Sequence, residues 1–376
     1  MRTIKLRDIA SPISINISNP SDCGYDKFVG LEHYDSGEFV ISRYSGVKLL
    51  TSAAKEFKKN DILIARRNVY LKRAGIVKFD GITSGDSIIL RVNEHTVDTV
   101  GVPREIIEDY LPLVLNTEDF WLYANKHADG MNSKRISKDT LLDYEFMLPS
   151  EIEIKTISEK AWAAYRLKEA YKRLLVATDE MVKSQFIEMF GNPVSNDRNW
   201  DYECINSVAP ESPAAHDEDD QVWLLNLDMI ESNTGNIIKK IVVPKSEVLS
   251  AQPFDKGNVL FSKLRPYLNK VVSPKDKGYA TTELVPLRPN QNILNRVFFT
   301  YLLRSDQFVQ FANDISGGTK MPRMPLKELR EFKCILPPIN LQERFAEIVR
   351  QADKSKFELK KAIEAIDQVI KSLING

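Results

Sequence analysis

Two stretches combine cations with an aromatic in a way that suits a polyanion. Arg66 and Arg67 are followed by Tyr70, Lys72 and Arg73, and Lys263 and Arg265 are followed by Tyr267 and Lys270. Guanidinium and ammonium groups flanking an aromatic just after a strand fit phosphate contacts with one or two contacts to base edges. A charged turn on a solvated edge would explain either stretch alone. Their return at matched places of an internal repeat argues for a shared role. A second matched pair is Gly130-Met131-Asn132-Ser133-Lys134-Arg135-Ile136 and Ser316-Gly317-Gly318-Thr319-Lys320-Met321-Pro322-Arg323-Met324. Glycine followed by Ser or Thr and a cation lets backbone amides approach phosphates closely. A plain glycine turn closing a domain against its helix is the equal alternative. Arg135 and Arg323 stand out in these loops, with Lys134, Thr319 and Lys320 beside them.

Other chemistry is not assembled. The run His216-Asp217-Glu218-Asp219-Asp220 has no second acidic cluster to complete a cation site and reads as a solvated loop. His33, His95 and His127 show no metal spacing. Glu153-Ile154-Lys155 resembles a nuclease fragment but lies at a helix start without an upstream partner. No G-x-x-x-x-G-K-[ST] loop and no G-x-G-x-x-G after a strand is present. Asn192-Pro193-Val194 falls short of the Asn-Pro-Pro-aromatic motif of amino-methyltransferases. The chain reads as a binder, with no catalytic residues, no metal and no cofactor of its own.

The elements that must position these residues are legible from periodicity. The last stretch steps 4, 3, 4, 3 through Leu341, Phe345, Ile348, Ala352, Ser355, Leu359, Ala362, Ile366, Val369 and Leu373, a heptad seam on a long helix. Asn340 as N-cap and Glu343 three residues later suggest its capping box. Ser150 and Glu153 cap a second long helix, from about Glu151 to Phe190, stopped by Gly191 and Pro193. Its stripe is Ile154, Ile157, Ala161, Ala164, Leu167, Tyr171, Leu174 and Met181. Ahead of each helix lie short strands and turns, with Ile62–Ala65 and Ser87–Val92 corresponding to Val259–Ser262 and Leu284–Arg288.

The correspondence is a tandem repeat. An offset of 197 residues pairs Phe57 with Phe254, Lys59 with Lys256, Leu63 with Leu260, Tyr70 with Tyr267, Leu71 with Leu268, Lys78 with Lys275, Gly81 with Gly278, Leu90 with Leu287 and Arg91 with Arg288. Further on, an offset of 188 pairs Phe120 with Phe308, Ala124-Asn125 with Ala312-Asn313, Gly130 with Gly318, Arg135 with Arg323, Leu141 with Leu329 and Leu148-Pro149 with Leu336-Pro337. A period this long fits two domain-sized units rather than a solenoid. The expected fold is α+β: a globular domain over 1–149, a helix over 150–191, a second domain over 192–337 and a second helix over 338–376, with the helices packed antiparallel. Two readers spaced along such a rod can address DNA half-sites about one turn, ~34 Å, apart.

Composition sets outer limits. Net charge is zero over 376 residues, so any basic face is local. No apolar stretch is long enough to span a membrane. Cys23, Cys204 and Cys334 are isolated, and the first residues lack an apolar signal core, which together point to the cytoplasm.

The chain resembles, along essentially its full length, the specificity subunit of type I restriction-modification enzymes. The likeness rests on Phe190-Gly191-Asn192-Pro193, Trp200, Gly317-Gly318-Thr319-Lys320-Met321-Pro322-Arg323, Leu336-Pro337-Pro338 and Gln342-Glu343. The first copy departs from the family loop, lacking the double glycine and the proline. The resemblance implies two target-recognition domains, each reading half of a bipartite site on double-stranded DNA. It implies an antiparallel coiled coil that sets the spacer and docks two methyltransferase subunits, which restriction subunits join. Adenine methylation, the methyl donor and ATP would all belong to those partners. The specificity chain of a type IIB-like enzyme and a coiled-coil protein-binding scaffold are the competing readings.

Overall fold

A computed structural model describes every residue except Met1, Leu49, Thr51, Asn132, residues 216–218 and Thr319. Thr319, and His216, Asp217 and Glu218 of the acidic run, therefore lie outside the described residues. The chain forms two compact units, Met1–Lys172 with Lys361–Gly376, and Arg173–Lys360. The division runs through both long helices, so each unit holds a globular body and a part of each helix, where the sequence suggested helices as separate segments.

In the first unit Ile62–Ala65 and Ser87–Val92 pair antiparallel, Ile64 opposite Ile88, at the heart of a five-stranded sheet. Both strands are covered on both faces, which is why they read as unbroken apolar runs. A four-stranded sheet joins Ile15–Ile17, Ala54–Phe57, Gly81–Ser84 and Phe28–Val29, the last two in parallel. The second unit repeats the plan. Val259–Ser262 pairs antiparallel with Leu284–Leu287 and with Val271–Val272, and a second sheet contains the parallel pair Gln221–Leu225 and Gly278–Ala280. The observed class is mixed α+β, as the sequence suggested.

Several identities of the repeat have packing reasons. Phe57 lies opposite Gly81 and Phe254 opposite Gly278. A Cβ added at either glycine would fall 2.8 Å from the facing ring, so the aromatic covers the strand where no side chain stands. Arg91 donates from Nε and Nη2 to the buried Asp61 carboxylate, both at 2.7 Å, and Arg288 donates from Nη2 to Asn258 and Asp255 at 3.0 Å. Tyr70 and Tyr267 are 61% and 48% exposed, and packing does not explain their recurrence.

The first long helix, Glu151–Phe190, opens with the expected capping box: the Ser150 amide donates to Glu153 Oε2 at 2.8 Å, and the Glu153 amide to Ser150 Oγ at 3.4 Å. Beyond its end Gly191 takes φ +74°, and Trp200 Nε1 donates to the Phe190 carbonyl at 2.8 Å. The last helix, Ile339–Asn375, starts ahead of the expected cap, so Asn340 lies inside it. Gln342 anchors this start instead. It is fully buried, its Nε2 donating to Pro337 O at 2.7 Å and Ile293 O at 3.0 Å, while its Oε1 accepts from the Asn295 amide.

The buried stripes differ from the apolar heptads. In the first unit Ala161 and half-buried Ile157 meet Phe39, Ile370 and half-buried Ile366, whereas Ile154 belongs to the core of the globular body. In the second unit Val182, Phe186 and Phe190 share a core with Phe345, Val349 and Ala352, and half-buried Leu341 packs on it. There the pairs Asp179–Lys356 and Phe186–Phe345 ascend one helix as they descend the other, so the helices run antiparallel. Tyr171, Ile348 and Leu359 are half-buried. Leu174 and Val369, expected in the seam, are 49% and 52% exposed, with Ile370 buried in place of Val369. The reason is that two stripe positions are lysines, which an apolar pattern passes over. Lys168 Nζ lies 2.7 Å from Glu38 and 2.6 Å from Asp367, and Lys356 Nζ lies 2.8 Å from Asp179 and 2.9 Å from Asp353. Lys168 and Lys356, like Asp179 and Asp367, stand 188 residues apart, so the polar node itself is duplicated.

Ile370→Ala should destabilise the chain by about 2–5 kcal/mol, and Val369→Ala should change stability by no more than about 0.5 kcal/mol. Chemical denaturation of the two variants checks this; the reverse order would restore the heptad seam.

Candidate nucleic-acid interface

The sequence singled out two loops in each copy without joining them; the backbone joins them. After the strand Ile62–Ala65 the chain takes left-handed turns at Asn68 (φ 54°) and Lys72 (φ 49°), bracketing a single 3-10 turn with Tyr70 at its apex. Arg265 (φ 49°) and Asn269 (φ 47°) bracket the turn that carries Tyr267. Asn tolerates this region better than most residues, whereas Lys72 and Arg265 do not share that tolerance. Such a conformation survives only where its surroundings over-determine it.

For Asn68 and Arg265 those surroundings are the glycine loops, whereas Lys72 is held by the Gly37 amide, which donates to Lys72 O at 3.1 Å, and by Glu118. Each glycine loop folds back as a tight hairpin, Asp129 and Arg135 exchanging amide–carbonyl bonds of 2.9 and 2.8 Å, Gly317 and Arg323 bonds of 3.2 and 3.0 Å. Gly130 and Gly318 sit at φ +112° and +99°, where an L side chain would be strained. Each hairpin is then laced to the tyrosine loop. In the first unit Asn68 N donates to Lys134 O at 2.7 Å and Ile136 N to Arg66 O at 3.0 Å. In the second, Arg265 N donates to Pro322 O at 2.7 Å and Met324 N to Lys263 O at 2.9 Å. Every partner in one ladder maps onto its counterpart by the offsets 197 and 188.

The candidate side chains divide on this scaffold. Tyr70, Tyr267, Lys134 and Lys320 are exposed and Lys263 is half-buried; none has a hydrogen bond or ion pair among the described residues. Arg73 and Lys270 are instead turned to the protein, donating to Leu31 O at 3.0 Å and Leu227 O at 2.7 Å. Lys72 pairs with Glu118, Arg67 Nε donates to Ser133 Oγ at 2.7 Å, and Arg66 and Arg265 are half-buried.

Sequence reasoning missed one acidic position. Arg323 donates from Nη2 to Glu283 Oε1 at 2.9 Å and from Nε to both carboxylate oxygens at 3.2 and 3.3 Å. Asp86, the counterpart of Glu283, lies 3.6 Å from Arg135 and 3.9 Å from Arg67. The acid-for-acid match at the offset of 197 was available in the sequence, but Asp against Glu does not count as an identity. The result in each unit is an exposed tyrosine and arginine, flanked by cations, on two loops laced together by backbone hydrogen bonds. That combination suits phosphates and base edges. Among the described residues no group of three or more His, Cys, Asp or Glu side chains is placed to hold a metal, and no helix is long and apolar enough to cross a membrane.

Comparison with known proteins bears on the same region. Residues 226–368 match the family model described as Type I restriction modification DNA specificity domain. The Type I restriction enzyme EcoDI specificity subunit of Escherichia coli is 25% identical over 183 residues, which are 47% of this chain and 40% of that relative's length. A solved structure from work on complex assembly and conformational transition of the type I R-M system aligns with a TM-score of 0.57 at 16% identity, over 99% of this chain and 96% of that one. The S subunit of the type I restriction-modification system from M. genitalium aligns with a TM-score of 0.52 at 12% identity, over 99% and 94%. At such identities the structural likeness establishes the fold. Residues 226–368 thus match a DNA specificity domain model, and the chain shares its fold along nearly its whole length with solved structures of type I systems.

Proposed function

We propose that this chain is the DNA-recognition subunit of a type I restriction-modification complex, in which each unit reads one half of a bipartite site. The observation that carries the reading is the duplication of one loop platform, with Tyr70 and Arg135 in the first unit and Tyr267 and Arg323 in the second. The cations Arg67, Lys72, Lys134, Lys263, Arg265 and Lys320 would add phosphate contacts around them. Arg73 and Lys270, and Arg66 in part, would hold the loops rather than touch DNA. Two half-site readers on one chain make a bipartite, non-palindromic address.

The long helices are the proposed spacer: an antiparallel coiled coil that fixes the gap between half-sites and docks two methyltransferase subunits, with restriction subunits joining that core. Adenine methylation and cleavage would reside on those partners, with the methyl donor and ATP bound there, in the cytoplasm. This chain supplies the address and no catalysis.

Methylome mapping of cells carrying this chain and its methyltransferase partner, beside cells lacking the chain, tests the reading. A methylated motif of two short half-sites around a fixed gap, present only with the chain, is expected. An assembled complex that adds no methylated motif would leave a protein-binding scaffold as the better account. Arg135→Ala and Arg323→Ala should each weaken recognition of one half-site by about 1–3 kcal/mol, and equal loss at both half-sites would count against separate readers. Binding to duplex DNA should fall steeply with salt, the logarithm of affinity declining linearly with the logarithm of salt concentration. Inserting four residues after Ile157 should change the tolerated gap or abolish assembly; methylation at the original gap would remove the spacer role.

A further inference from the structure

The acidic residue at the foot of each platform has a function that its charge alone would argue against. A carboxylate beside a surface meant for phosphates repels the ligand, yet both copies keep one at the same place, as Asp86 and as Glu283. Neither is an ordinary surface acid. Their side chains are only 30% and 24% exposed, and their own carbonyls accept from the tyrosine loop, Arg66 N to Asp86 O at 2.9 Å and Lys263 N to Glu283 O at 3.0 Å. Each residue thus holds one loop through its backbone and faces the arginine of the other loop through its carboxylate. Arg323 meets Glu283 through Nε and Nη2. Arg135 and Arg67 both lie within ion-pair distance of Asp86, whereas Leu264 stands where Arg67 does in the second copy, leaving Glu283 a single arginine.

We propose that Asp86 and Glu283 are positioning residues that buttress the reading arginines and thereby set the sequence specificity of each half-site. A guanidinium carries five donors, and the Glu283 clamp leaves both hydrogens of Arg323 Nη1 for an external acceptor. An unclamped arginine samples many rotamers and meets any phosphate; a clamped one offers its donors along one direction, which favours a base edge at one register over the surrounding backbone. The carboxylate also makes a displaced or mismatched phosphate costlier to approach. The residue therefore lowers general affinity for DNA and raises discrimination. The two copies realise the contact differently: Glu283 hydrogen-bonds Arg323, whereas the shorter Asp86 stands at ion-pair distance from both Arg135 and Arg67.

This inference rests on the DNA-recognition reading, and one experiment separates the two. The full chain, assembled with its methyltransferase partner, is titrated with a duplex carrying the mapped site and with duplexes in which one half-site or both are scrambled. Glu283→Gln is expected to bind the fully scrambled duplex as tightly as the parent or more tightly. Its preference for the intact second half-site should fall by at least about fivefold, with preference at the first half-site unchanged. Glu283→Asp should retain most of the preference, and Asp86→Asn should shift the loss to the first half-site. If Glu283→Gln fails to fold, Asp86→Asn carries the test alone. Full discrimination in the folded Gln or Asn variant, or a uniform loss of affinity for all duplexes, would overturn the buttress. A parent complex that distinguishes none of the duplexes would instead overturn the recognition reading itself.

Discussion

A short backbone ladder between two loops remote in the chain decides what each unit can present. The tyrosine loop contains left-handed Lys72 in one copy and left-handed Arg265 in the other, conformations that neither side chain favours. Bonds from Asn68 to Lys134 and from Arg265 to Pro322 hold these turns against the glycine hairpins. Once laced, the tyrosine and the arginine stand on one edge although they come from different parts of the sequence. A binding surface built on flexible loops would have to order both when the ligand arrives, and the ladder removes much of that cost beforehand.

The helices face a different constraint, and meet it with charge. Lysines withdrawn from water, Lys168 fully and Lys356 in part, need partners to replace the hydration they lose. Lys168 lies between Glu38 and Asp367, so it ties the globular body of the first unit to both helices at one point. Lys356 meets Asp179 across the helix pair and Asp353 along its own helix. A seam of leucines alone would accept neighbouring registers, whereas a half-buried ion pair at one level favours its own.

Much of this organisation was legible in the sequence, for identifiable reasons. The repeat, the two long helices, the capping box at Ser150 and the glycine stop at Gly191 are local or periodic signals, and they stand in the structure. The seam is not legible where polar residues occupy the stripe: the lysines break the apolar pattern, which continues instead through Leu174 and Val369 on faces that remain half open. The start of the last helix differs from expectation because buried Gln342 ties it to Ile293, Asn295 and Pro337 through contacts that no local rule anticipates. At the candidate interface the residue types were visible, but which cations turn inward depends on carbonyls such as Leu31 O and Leu227 O, which come from distant segments.

The make-up of the first unit has a consequence for the order in which the chain matures. Residues 361–376 complete the packing around Phe39 and Ala161, placing Ile370 among them. The second unit, Arg173–Lys360, is one uninterrupted stretch. During synthesis from the N-terminus, the first body emerges early yet lacks its closing helical segment until residues 361–376 have been made. The unit made second can close first. Residues 361–376 then act as a seal on a body made much earlier, so that a ribosome halted before Lys361 would leave Phe39 without Ile366 and Ile370 against it.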